Sequence, residues 1–157
     1  MRTIEIQVFK FDELTDEAKE KARGWFRTGF EFGWHAEYRD SLQAIETRFG
    51  FDVRKWSVDE SSFDYSVNLE NSHFRGLKLR DFPRDSMPTG FAGDCGFYMK
   101  FHDVWKKTGD PKHAADMALH EFFKEWRDDI ESSLSDESVD ESIRANEYEF
   151  DEDGERV

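Results

Sequence analysis

His113, Asp116 and His120 stand at i, i+3 and i+7, a spacing that sets two imidazoles and a carboxylate on one flank of a helix. Such a trio is the beginning of a zinc or iron site, which needs several N, O or S donors around one ion. His102 joins it only where the preceding helix folds back on this one. The apolar stripe through Ala115 and Leu119 runs beside that flank, so the trio is also what the solvent-facing margin of a helix ordinarily carries. No metal site and no cofactor are expected. Cys95 is the only cysteine, which excludes an intramolecular disulfide and a multi-thiolate zinc site. It reads as a small buried or loop thiol, since only pairing with a distant His would make it a nucleophile. Gly90-Phe-Ala-Gly93 lacks the further Gly or the Lys-Ser/Thr of a phosphate-cradling loop, and no nucleophile elbow is present. The chain is therefore read as non-enzymatic, with a metal- or thiol-dependent enzyme as an alternative.

Charge is the feature with the clearest physical consequence. The chain carries a formal charge of −14, and its last thirty residues, from Asp128, hold thirteen acids against Arg144 and Arg156, which is −11 of that total. Such a field repels nucleic-acid phosphates and anionic lipid and attracts basic protein surfaces. Direct nucleic-acid and membrane binding are thus not expected. Asp136, Glu137, Asp140 and Glu141 recur at i, i+1, i+4 and i+5, which predicts a carboxylate ridge on the outer face of a short helix whose inner face holds Val139 and Ile143. Like charges at i, i+4 oppose a helix by a few tenths of a kcal/mol each. With Glu147, Glu149, Asp151, Glu152 and Asp153, this ridge is the candidate partner-binding surface. It is either a solubilising face or a stand-in for phosphates in a Lys/Arg-lined channel of a partner. Arg75, Lys78, Arg80, Arg84, Lys106, Lys107 and Lys112 form a weaker positive set that complements the acidic tail.

Sixteen Phe, five Trp and four Tyr supply a packed core despite the 37% charged content. Ile4, Ile6 and Val8 alternate and predict a strand over Arg2–Phe11. Thr15 caps a helix from Asp16 to Arg27 that fades at Gly29, and Tyr38, Leu42, Ile45 and Phe49 define a second, closed by Gly50. Two alternating runs, Phe51–Val58 and Phe63–Leu69, flank an acidic, Ser-rich turn and predict a hairpin. The Gly- and Pro-broken stretch Glu70–Gly96 has room for one short strand or helix near Phe74–Phe82 before a loop. Phe97–Lys107 is a short helix, Asp110-Pro111 opens the longest helix, and Ser135 caps the acidic one. Tyr148 and Phe150 then predict a final strand, with a turn at Asp153-Gly154. With no internal repeat and no linker, residues 1–157 read as one acidic α+β domain, a mostly antiparallel sheet with helices packed on one face. No run is apolar enough for a signal peptide or membrane span, so a cytoplasmic location is expected.

Two segments resemble small phage and prophage proteins commonly labelled antitoxins of toxin–antitoxin stability systems. They are the opening strand with Phe11-Asp-Glu-Leu-Thr-Asp-Glu-Ala-Lys-Glu-Lys-Ala22, and Ser135-Asp-Glu-Ser-Val-Asp-Glu-Ser-Ile-Arg-Ala-Asn-Glu-Tyr-Glu-Phe-Asp-Glu-Asp-Gly-Glu-Arg-Val157, together about a quarter of the chain. Between them the chain departs from that pattern, and no interface residue transfers over Phe51–Asp110. The resemblance implies a phage or bacterial source and a part in the contest of phage and host; it supplies no catalytic residue. The expectation is a phage-encoded inhibitor acting in the bacterial cell on a nucleic-acid-handling defence complex, of the anti-CRISPR or anti-restriction type, as a DNA mimic. The alternative non-enzymatic reading is an antitoxin masking a cognate toxin. The sequence leaves the oligomeric state open.

Overall fold

The computed structural model describes residues 1–157. In chain order the elements are β1 (Phe9–Lys10), α1 (Asp16–Thr28), α2 (His35–Phe49), β2 (Val53–Val58), β3 (Phe63–Val67), α3 (Gly93–Thr108), α4 (Pro111–Ser133), α5 (Asp136–Ala145) and β4 (Glu149–Phe150). The class is α+β, and both strand pairs are antiparallel, β1 with β4 and β2 with β3. The expected sheet with helices on one face is not what forms. The strands are only two, six, five and two residues long, split between two separate ladders, and helices make up the larger part of the chain. No helix is long and apolar enough to cross a membrane.

The chain groups into two compact units, one of Met1–Phe32 with Ser132–Val157 and one of Gly33–Glu131. In the first, hereafter the terminal unit, the Thr15 hydroxyl accepts the Ala18 N–H at 3.2 Å and starts α1. Ser135 does the same for Ser138 at 3.3 Å and starts α5. Ala18 and Ala22 of α1 pack with Val139 and Ile143 of α5, Phe150, Phe11 and Leu14 into one buried core. The predicted opening strand shrinks to Phe9–Lys10, paired with Phe150 and Glu149. Ile4, Ile6 and Val8 remain 71%, 66% and 41% exposed. The reason is the partner: β4 offers two residues before the chain turns back, so the rest of the alternation has no strand to pair with and nothing to be buried by.

That turn is held by Gly154, whose φ is +90° and which lies against the Ala18 carbonyl; a Cβ there would stand 2.1 Å from that oxygen. Gly154→Ala therefore meets both left-handed backbone strain and a clash with an atom of α1 that cannot swing away. It is expected to cost about 2 kcal/mol or more, read as a thermal midpoint lowered by several degrees. An unchanged melt would mean that the tail can lift off α1.

In the central unit, Gly50 (φ +82°) ends α2 with its N–H on the Glu46 carbonyl at 2.8 Å. The hairpin forms as expected, its turn organised by Asp59, whose Oδ1 accepts both the Ser61 and Ser62 N–H groups at 2.8 Å. Residues 70–92 hold two 3-10 turns, Asn71–Phe74 and Leu79–Asp81, instead of one short element. α3 begins at Gly93, four residues before its predicted start. Gly93 and Gly96 read as breakers in isolation, yet they are points of close approach. A Cβ on Gly93 would lie 3.1 Å from Tyr38, and one on Gly96 would lie 2.0 Å from the Glu125 carboxylate. The Asp94 carboxylate, wholly buried, accepts from Ser41 Oγ and from the Thr89 N–H and hydroxyl at 2.8 Å, tying the 3-10-rich stretch to α2 and α3.

Candidate functional site

The proposed acidic ridge separates into two sets once α5 is placed. Asp136, Asp140 and Arg144 recur every four residues and so form one stripe of the helix. That stripe faces α1 and the turn before it. Arg23 forks onto Asp140 at 2.6 and 2.8 Å, Arg27 reaches Asp136 at 2.5 Å and the Leu134 carbonyl at 3.0 Å, and Arg144 pairs with Asp12 at 2.9 Å. Arg23 also bonds Glu20. The Arg23–Asp140 pair is largely shielded, with side chains 16% and 13% exposed. The fork from Arg23 holds the Asp140 carboxyl below the usual carboxylate range, and the same bond raises the guanidinium further. Asp140 is thus part of the interhelical contact, while Asp136, paired with Arg27, stays exposed at its edge. A sequence signal for this exists: Arg23 and Arg27 share the four-residue spacing of Asp136 and Asp140, as two antiparallel helices require.

Two more of the nine predicted residues are tied down. Glu149 meets Lys10 at 3.4 Å across the β1–β4 ladder, and Asp151 Oδ1 accepts the Asp153 and Glu155 N–H groups at 2.9 Å, so its charge shapes the terminal turn. Glu155 in turn binds Lys21 at 2.9 Å. The remaining five, Glu137, Glu141, Glu147, Glu152 and Asp153, are exposed and enter none of the ion pairs. Glu137 and Glu141 lie one helical turn apart beside the paired stripe. Glu152 and Asp153 border a hollow shared with Thr15, Glu17 and Lys21. The terminal unit holds seventeen carboxylates against eight Lys and Arg, a net of −9 in its share of the chain.

The residues with catalytic or metal-binding spacing stay apart. His113 and Asp116 are exposed on α4, and the His120 ring stands edge-on to Phe63 at 5.2 Å. His102 Nδ1 lies 2.8 Å from the Phe82 carbonyl oxygen. No three His, Cys, Asp or Glu side chains are gathered as a metal-holding group. Cys95 lies half-exposed in the first turn of α3, beside a hollow lined by Lys100, Glu121 and Glu125 but by no imidazole. Burial pushes the Glu125 carboxyl up, with Glu121 adding to the effect. Of the basic set, Arg84 is paired with Asp103 at 2.7 Å.

Compared with protein-family models, with curated proteins and with solved structures, the chain matches none. The fold and the site thus describe a small α+β protein with an acidic terminal unit.

Proposed function

We propose that this protein is a non-enzymatic, phage-encoded inhibitor that docks through its terminal unit on a Lys/Arg-lined surface of a host nucleic-acid-handling defence complex, such as a CRISPR effector or a restriction enzyme. The observation that carries the reading is the set of five exposed carboxylates, Glu137, Glu141, Glu147, Glu152 and Asp153, that stand outside the unit's ion pairs. Carboxylates in that state hold a field that steers a basic partner into encounter, whereas those bonded to Arg23 or Arg27 are already neutralised.

The test is recovery of the tagged protein's partner from a bacterial lysate at low and high salt, followed by the association rate of the purified pair. Salt-sensitive recovery of a nuclease or CRISPR complex is expected. Changing Glu137, Glu141 and Glu152 to Gln and Asp153 to Asn together should slow association roughly tenfold at low salt. A rate indifferent to both salt and these substitutions would remove the charge-mimic mechanism. The resemblance to antitoxin-labelled phage proteins favours a second reading, and recovery of one small toxin would select it.

A further inference from the structure

The end of α1 carries a feature that the acidic surface does not use. A cavity of about 470 Å³ opens there, lined by Trp25 and Phe26, by Phe30 and Glu31 just beyond the helix, and by Tyr148 next to β4. Trp25 is 39% exposed, and Phe26, Phe30 and Tyr148 are half-buried. The rings are mutually fixed: Trp25 meets Tyr148 edge-on with centroids 5.1 Å apart and Phe150 at 5.8 Å, and Phe26 lies 6.0 Å from Phe30.

Five considerations agree on the charge this cavity prefers. Aromatic faces attract cations through the ring quadrupole. The wall at Thr28 and Gly29 is the C-terminal end of a thirteen-residue helix, whose last carbonyls carry partial negative charge. The Glu31 carboxylate is exposed at the lining and enters none of the ion pairs. The protein's own Arg156, which is not among the lining residues, already sets its guanidinium 4.9 Å from the Tyr148 centroid and 5.8 Å from that of Trp25. The surrounding unit carries a net −9.

We infer that this cavity is the anchoring pocket for an arginine side chain of a basic protein partner, whose guanidinium faces Glu31 and takes the place over Trp25 and Tyr148 that Arg156 holds in the free protein. The inference rests on the proposed docking of a basic partner and gives that surface its short-range contact. Exposed carboxylates act over distance and set the encounter rate, while an aromatic pocket that desolvates one side chain sets the lifetime of the complex.

The probe is acetyl-arginine amide, titrated into the full-length protein and followed by the Trp25 indole N–H resonance, which is assigned with Trp25→Phe. Acetyl-norleucine amide, which keeps an apolar stem and carries no charge, serves as the control. A saturable shift with the arginine probe alone is expected. Glu31→Gln should raise its dissociation constant about fivefold, and Tyr148→Leu, which keeps an apolar wall, should raise it by a similar factor. No shift, or equal binding of the norleucine probe, overturns the pocket. The carboxylate substitutions Glu137→Gln and Glu141→Gln separate the two readings. If they slow partner association while the arginine probe fails to bind, the pocket falls and the acidic surface stands. If the probe binds and association ignores the carboxylates, the pocket stands and the charge-mimic reading falls.

Discussion

Trp126→Ala is expected to remove about 3–5 kcal/mol from the stability of the central unit. The indole is wholly buried, stacks on Tyr38 at 5.0 Å with an interplanar angle of 6° and on Phe123 at 6.0 Å, and meets Trp56 at 5.0 Å. Its N–H donates to His35 Nδ1 at 3.1 Å. Truncation leaves a void walled by rings that are themselves held by other contacts, so the site collapses poorly and the cavity cost is added to the lost burial. Against the 5–15 kcal/mol typical of a whole domain, such a loss brings the unit close to unfolding. Denaturant titration reads it as a lowered midpoint, and a loss under about 1 kcal/mol would show that the surrounding rings close over the gap.

The same bond has a pH consequence. Nδ1 accepts the indole proton only while it is unprotonated, and burial, with Arg39 adding to it, lowers the pKa of His35 below its ordinary 6.5. The folded pKa being the lower one, this contribution is in place above about pH 6.5 and is lost as pH falls toward the folded value. Trp126→Phe, which keeps a ring and loses the donor, should therefore be less destabilised than Trp126→Ala.

Asp140→Ala is expected to cost the terminal unit about 2 kcal/mol, because it removes the fork that Arg23 makes across to α5 and leaves the guanidinium only Glu20 on its own helix. Glu137→Gln, one turn away on the same helix, should change stability by less than about 0.5 kcal/mol. That contrast separates carboxylates that build the unit from those left for a partner. The Asp140 carboxyl is held below its ordinary 3.8 by Arg23, so the pair's contribution is complete above that pH and disappears as pH falls through the lower folded value. Asp140→Asn should flatten the acid limb of the stability profile. Equal melts for Asp140→Ala and Glu137→Gln would mean that the fork to Arg23 is not holding α1 and α5 together.

The elements that could be read directly are those whose signals are local. The Thr15 and Ser135 caps, the Gly50 stop, the Asp110-Pro111 start and the alternation of the hairpin each depend on groups within a few residues, and each element forms close to its predicted bounds. The identity of the inward residues of α5 was equally legible, since Val139 and Ile143 follow from helical spacing alone.

What the chain did not reveal by itself always depended on a distant partner. Ile4, Ile6 and Val8 have strand periodicity, but the length of β4 decides how much of it pairs. Gly93 and Gly96 look like breakers until Tyr38 and Glu125 arrive beside them. Asp136 and Asp140 are formally identical to Glu137 and Glu141 as charges in a row, and only the approach of Arg23 and Arg27 on α1 gives the first two ion-pair partners and leaves the second two outside the ion pairs. Net charge, core composition and the helix boundaries other than the start of α3 were thus set by residue types and short spacings. Which charges are free, and which rings meet to form a pocket, was decided by tertiary packing, because both are properties of pairs far apart in the chain.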